Sequence, residues 1–141
     1  MFKEIFKKEK KENSDNKNIL VAALLIHAAK IDENYSDIEK KIIKEALINL
    51  NNISSDQAEE LMKHAEKKEE ESNQMIEFTR EIKKYPMEFR LKIIEVIWKI
   101  VYSNGTSDNY ESNLIRRICG LLYISDKDNG IIKTKVQNLL K

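Results

Sequence analysis

Apolar residues recur along this chain at spacings of three and four, and stretches with that period are parted by short polar breaks. The first runs from about Lys17 to Lys30, where Leu20, Ala23, Leu24, His27, Ala28 and Ile31 fall on one face and predict a helix. After a polar stretch, Ile38, Ile42, Ala46, Leu47 and Leu50 predict a second helix with those residues inward. Asn51 and Asn52 end it. Ser54 and Gln57 form a capping box that opens a third, with Ala58, Leu61, Met62 and Ala65 as its apolar stripe. That helix enters the charged run Glu66 to Glu71, which reads as a solvated face.

Met75, Phe78, Thr79, Ile82 and Tyr85 carry a fourth helix that Pro86 stops, and Pro86 suits the start of the next. The fifth is the most apolar, from Phe89 through Ile93, Ile94, Val96, Ile97 and Val101, and is expected at the centre. A sixth holds Leu114, Ile115, Ile118, Cys119, Leu121 and Leu122. Ser125 caps a seventh, docked by Ile132, Val136, Leu139 and Leu140. The expected fold is all-α, a bundle of about seven helices. One Pro and three Gly argue against an all-β alternative. Residues 1–16 read as a flexible polar and basic extension, and residues 17–141 as one helical domain.

The pattern is used twice. Shifted by 72 positions, Val21 meets Ile93, Ala22 meets Ile94, Leu25 meets Ile97, Ile42 meets Leu114 and Leu50 meets Leu122. At a shift of 71, Ile53-Ser54 meets Ile124-Ser125. Each half is therefore helix, polar loop, helix, then Ile-Ser opening another helix. An internal duplication with approximate two-fold symmetry follows, in which the two loops are expected to approach each other.

The loops hold the candidate chemistry. The first, Asp32 to Glu39, and the second, Asn104 to Glu111, place side-chain oxygens at their first, third, fifth and eighth positions. Asp32, Glu39, Asn104, Asp108 and Glu111 are the candidate metal ligands, because alternate oxygens on a folded-back loop suit calcium or magnesium. The spacing is not that of an EF-hand, which needs a glycine at the sixth position and a glutamate at the twelfth. A second reading stands beside the first. Ser36 with Glu39, and Asp108 with Glu111, are also capping boxes, worth on the order of 1 kcal/mol each. Capping leaves Asp32 unexplained.

Composition narrows the function classes. Twenty-five basic against 24 acidic residues give a net charge of +1, so no overall basic field draws nucleic acid. Cys119 is the single cysteine and sits on an apolar stripe, which suits a reducing, cytoplasmic setting and an inert thiol. The longest apolar run, Ile19 to Ile26, is far short of the ~20 residues of a membrane span. Phe2, Ile5 and Phe6, among lysines, offer a weak contact for an anionic membrane surface or a partner groove. His27 on the apolar face is expected to be buried and hydrogen-bonded. No nucleophile–base pair, zinc spacing or phosphate loop appears, so no enzyme is expected, and no cofactor other than the candidate calcium or magnesium ion.

The residues Ala28 to Glu39 resemble the A-x-x-D-G-x-[IF]-[ST]-x-x-E motif of the TerB-like tellurite-resistance family. Asn104, Gly105 and Glu111 are similar to that family's second loop. Phe78 to Tyr85, Arg90 through Trp98 and Tyr102, and Glu111 through Ile118 are similar to its uncharacterised bacterial branch. The resemblance covers about Ile19 to Leu140. It implies a pseudo-symmetric helical fold, cytoplasmic or at the inner face of the membrane, associated with stress response and tellurite resistance. It further implies metal binding through acidic loop residues, matched here by Asp32, Glu39 and Glu111, and no catalysis. Glu33 replaces the usual glycine of the first loop and Asn104 the usual aspartate of the second, which removes a carboxylate from any cation site. The expected function is a non-catalytic domain that binds a divalent cation or a protein partner through two acidic loops. The alternative is a structural adaptor whose loops only cap helices.

Overall fold

A computed structural model describes residues 17–30, 35–71, 75–103 and 109–139, with the backbone alone at 109–112. Seven helices account for nearly all of them: α1 (residues 17–29), α2 (Asp37–Asn51), α3 (Ser55–Glu71), α4 (Met75–Ile82), α5 (Met87–Tyr102), α6 (Asn109–Leu121) and α7 (Asp126–Leu139). Among the described residues there is no strand. The all-α expectation holds.

Two helices share the centre. The apolar run that opens α1 leaves Leu20 to Ile26 buried without a break, as an all-round apolar helix requires. In α5, Ile93, Ile94 and the run Val96 to Trp98 are buried likewise, and α2, α6 and α7 pack around it. The sequence had pointed to α5 alone. Pro86 sits at the N-cap of α5, one position earlier than expected, with its carbonyl accepting from Phe89 and Arg90. Arg90 then donates from Nε to the Tyr85 carbonyl and from a terminal nitrogen to that of Leu122, tying the α4–α5 turn to the end of α6.

Burial follows the duplication. Ile43 and Leu47 in α2 are buried, and so are Ile115 and Cys119, 72 positions on in α6. Ala65 in α3 and Val136 in α7 are both fully buried at the 71 shift. The two non-glycine residues with positive φ, Asn52 at 53° and Tyr123 at 58°, are also 71 apart and end α2 and α6. Each is followed by the Ile-Ser that opens the next helix. Ser54 Oγ accepts from Gln57 N at 3.2 Å, and Ser125 Oγ from Asp128 N at 3.1 Å.

Two apolar expectations and one for a charged run fail. Ile38 is 63% exposed, because α2 is rotated so that Glu39, Ile43 and Leu47 face the core. Leu139 is 61% exposed at the end of α7, where Val136 is the buried anchor. The run Glu66 to Glu71 is not wholly solvated. Glu69 is 4% exposed, continuing the buried stripe of Ala58, Met62 and Ala65.

Candidate functional site

The two ends of the first loop are fastened to one helix. Lys30 closes α1, and its ammonium donates to Glu69 Oε2 at 2.8 Å. One helical turn earlier, His27 Nδ1 lies 3.3 Å from Glu69 Oε1, a hydrogen bond when that nitrogen carries the proton. On the far side of the loop, the Tyr35 hydroxyl donates to Glu66 Oε1 at 3.0 Å. Glu66 and Glu69 are neighbours at i, i+3 on α3, so residues 31–34 are bracketed by contacts to a single rigid helix.

The helix that follows is capped as its sequence dictates. Glu39 N donates to Ser36 Oγ at 3.2 Å, while Ser36 N and Ser36 Oγ donate to Glu39 Oε1 at 3.1 and 3.0 Å. Glu39 is 1% exposed. Burying a carboxylate is costly unless hydrogen bonds hold its charge, and the capping box supplies them.

Three carboxylates thus surround one phenol. Burial first, then the Glu66 charge and hydrogen bond, then the charges of Glu39 and Glu69, push the Tyr35 pKa well above its usual value. The Lys40 ammonium lies 4.8 Å and the Lys30 ammonium 5.8 Å from the centre of the Tyr35 ring, offsetting part of the negative charge.

Of the predicted ligands, Glu39 alone has a described side chain. Asp32, Asn104 and Asp108 lie outside the described residues, as do the second loop and the expected approach of the two loops. Glu111 lies in α6, with its side chain outside the description. Among the described residues no group of three or more His, Cys, Asp or Glu side chains is arranged to hold a metal ion. The sequence reading missed Lys30, Tyr35, Glu66 and Glu69 as partners of the loop. One clue was available, since Glu69 extends the apolar stripe of α3 at i+4 from Ala65. His27 is hydrogen-bonded as expected, but half-buried, with its ring edge-on to Phe78 at 6.3 Å.

Cys119 is inert by position. It is buried in α6, and burial, with a smaller contribution from the Asp126 charge, pushes its thiol up to about 12. Among the described residues no helix is long and apolar enough to cross a membrane.

A duplicated all-helical bundle, with oxygen-rich stretches of sequence following α1 and α5, is the class of domain these observations define. The family model for the tellurite resistance protein TerB matches residues 18–134, and the chain belongs to that family. It is therefore a tellurite-resistance-like domain. Comparison with characterised proteins and with solved structures gave no significant match.

Proposed function

We propose that this TerB-family domain works without catalysis, by binding a divalent cation at its first acidic loop, with Asp32 and Glu39 as the principal carboxylates. The observation that carries the reading is the buried, hydrogen-bonded Glu39 at the base of a loop clamped on both sides by α3. Lys30 and Tyr35, which flank residues 31–34, are already tied to α3, so a ligand has less chain to fix and weak individual contacts suffice. A carboxylate has two oxygens and about four acceptor sites, so capping a helix and ligating a cation are compatible roles. Calcium or magnesium suits an all-oxygen donor set. The second loop, through Asp108, Glu111 and the neutral Asn104, is the weaker site, because the counterpart of the Asp32 carboxylate there is an uncharged amide.

The second reading is a structural adaptor that recruits a protein partner, and the complete capping box at Ser36 and Glu39 favours it. Calcium and magnesium titrations of the full chain, followed by amide NMR, separate the two. Binding predicts saturable shifts at residues 31–39 that Asp32→Asn weakens at least tenfold. A titration that leaves those amides unmoved removes the cation reading and leaves the adaptor.

A further inference from the structure

Among the described residues, the duplication leaves a groove open whose counterpart is filled. In the second half, Leu114 and Ile118 on α6 and Leu122 just past its end are buried, and so are Leu20, Ala23 and Leu24 on α1. The helix covering this seam is α4, which packs on α6 and places Phe78 against His27 of α1. Moved back by 72 positions, the same α6 face is Ile42, Ala46 and Leu50 on α2. These three are only half-buried, and with Val96 of α5 they line a groove of about 290 Å³. Moved forward by 72, Leu24 becomes Val96, so the groove is the symmetry-related seat of α4.

The residues before α1 have the apolar spacing to fill it. In α4 the buried residues are Met75, Phe78, Thr79 and Ile82. At a shift of 73, Met75 meets Phe2, Phe78 meets Ile5 and Thr79 meets Phe6. The connection to the following helix also agrees. Ile82 precedes Phe89 by seven positions, and its counterpart Glu9 precedes Lys17 by eight. Lys17 itself lies over the rings of Tyr85 and Phe89, with its ammonium 4.3 Å from the Phe89 centroid, at the end of α5 that leads into the groove.

We propose that residues 2–9 dock as a short amphipathic helix in the groove between α2 and α5, so that each half of the protein has four helices. The apolar stripe Phe2, Ile5 and Phe6 covers Ile42, Ala46, Leu50 and Val96. This seat is more polar than that of α4, because Lys92 and Lys99 stand where the second half uses Leu20 and His27. The segment is therefore held more loosely than α4.

The test is methyl NMR of the full chain, comparing wild type with the double variant Phe2→Asp/Phe6→Asp. Docking predicts shifts of the Ile42, Leu50 and Val96 methyls, while those of Leu114 and Ile118 stay in place. Ala46→Glu, which blocks the groove, should speed tryptic cleavage at Lys7 to Lys11 several-fold. A disulfide between Ile5→Cys and Ala46→Cys should form within one chain. Groove methyls indifferent to the Phe variants would overturn the proposal. So would a disulfide formed only between two copies, which makes a second chain the occupant.

Discussion

Lys30 and Glu69, 39 positions apart, meet through a 2.8 Å ion pair that joins the end of α1 to a buried face of α3. Lys30 is partly open to water and Glu69 is almost closed to it. Their removal is therefore asymmetric. Lys30→Met takes the ammonium from a desolvated carboxylate, leaving it the longer His27 contact, and should cost about 2 kcal/mol in urea unfolding. The double change Lys30→Met/Glu69→Met removes the buried charge as well and should recover most of that loss. Additive losses in this cycle would show that the pair is not coupled.

The serine caps should rank by what they hold. Ser54→Ala and Ser125→Ala each remove an exposed cap and should cost about 1 kcal/mol. Ser36→Ala also takes a donor from the buried Glu39 carboxylate and should cost more, about 2 kcal/mol. Thermal unfolding of the three variants measures the order. Equal losses would mean that the Glu39 carboxylate gains nothing from the Ser36 hydroxyl.

The Tyr35 phenol gives stability a pH dependence at the alkaline end. Burial and the Glu66 charge raise its folded pKa above the unfolded value of about 10, so the native state holds that proton more tightly. The contribution is complete below the unfolded pKa and is lost as pH rises from there through the folded one. Tyrosinate absorbance should show one phenol titrating after the others. In Tyr35→Phe, the alkaline fall in stability should be shallower.

Tyr123 holds φ at 58°, a conformation that costs a bulky residue of order 1 kcal/mol or more, and it is 66% exposed. Tyr123→Gly should therefore stabilise the protein by about 1 kcal/mol, less what its 5.7 Å contact with the Lys83 ammonium contributes. The equivalent Asn52→Gly should change stability by only a few tenths, since asparagine tolerates the left-handed region. Denaturant midpoints of both variants check the contrast.

The loop environment was harder to read than the helices. Capping boxes at Ser36 and Ser54 are local, with donor and acceptor three residues apart, and both are found as their sequences predict. The contacts that bracket the loop are not local. Lys30 to Glu69 and Tyr35 to Glu66 span 39 and 31 positions, and no short-range pattern links such residues. A glutamate inside a charged run looks solvated until its phase is compared with the apolar stripe before it.

Periodicity, caps and the repeat by themselves determined seven helices, their order and the pairing of the two halves, because each rests on contacts within a turn or on patterns that a shift exposes. Only the tertiary structure decided which side of α2 faces inward. The sequence offers two adjacent apolar stripes, Ile38-Ile42-Ala46 and Glu39-Ile43-Leu47, and the first is the more apolar. The second is buried because its glutamate satisfies the helix N-terminus while Ile43 and Leu47 meet the core. That choice turns on the summed burial of several helices at once, which one helix's hydrophobic pattern does not contain.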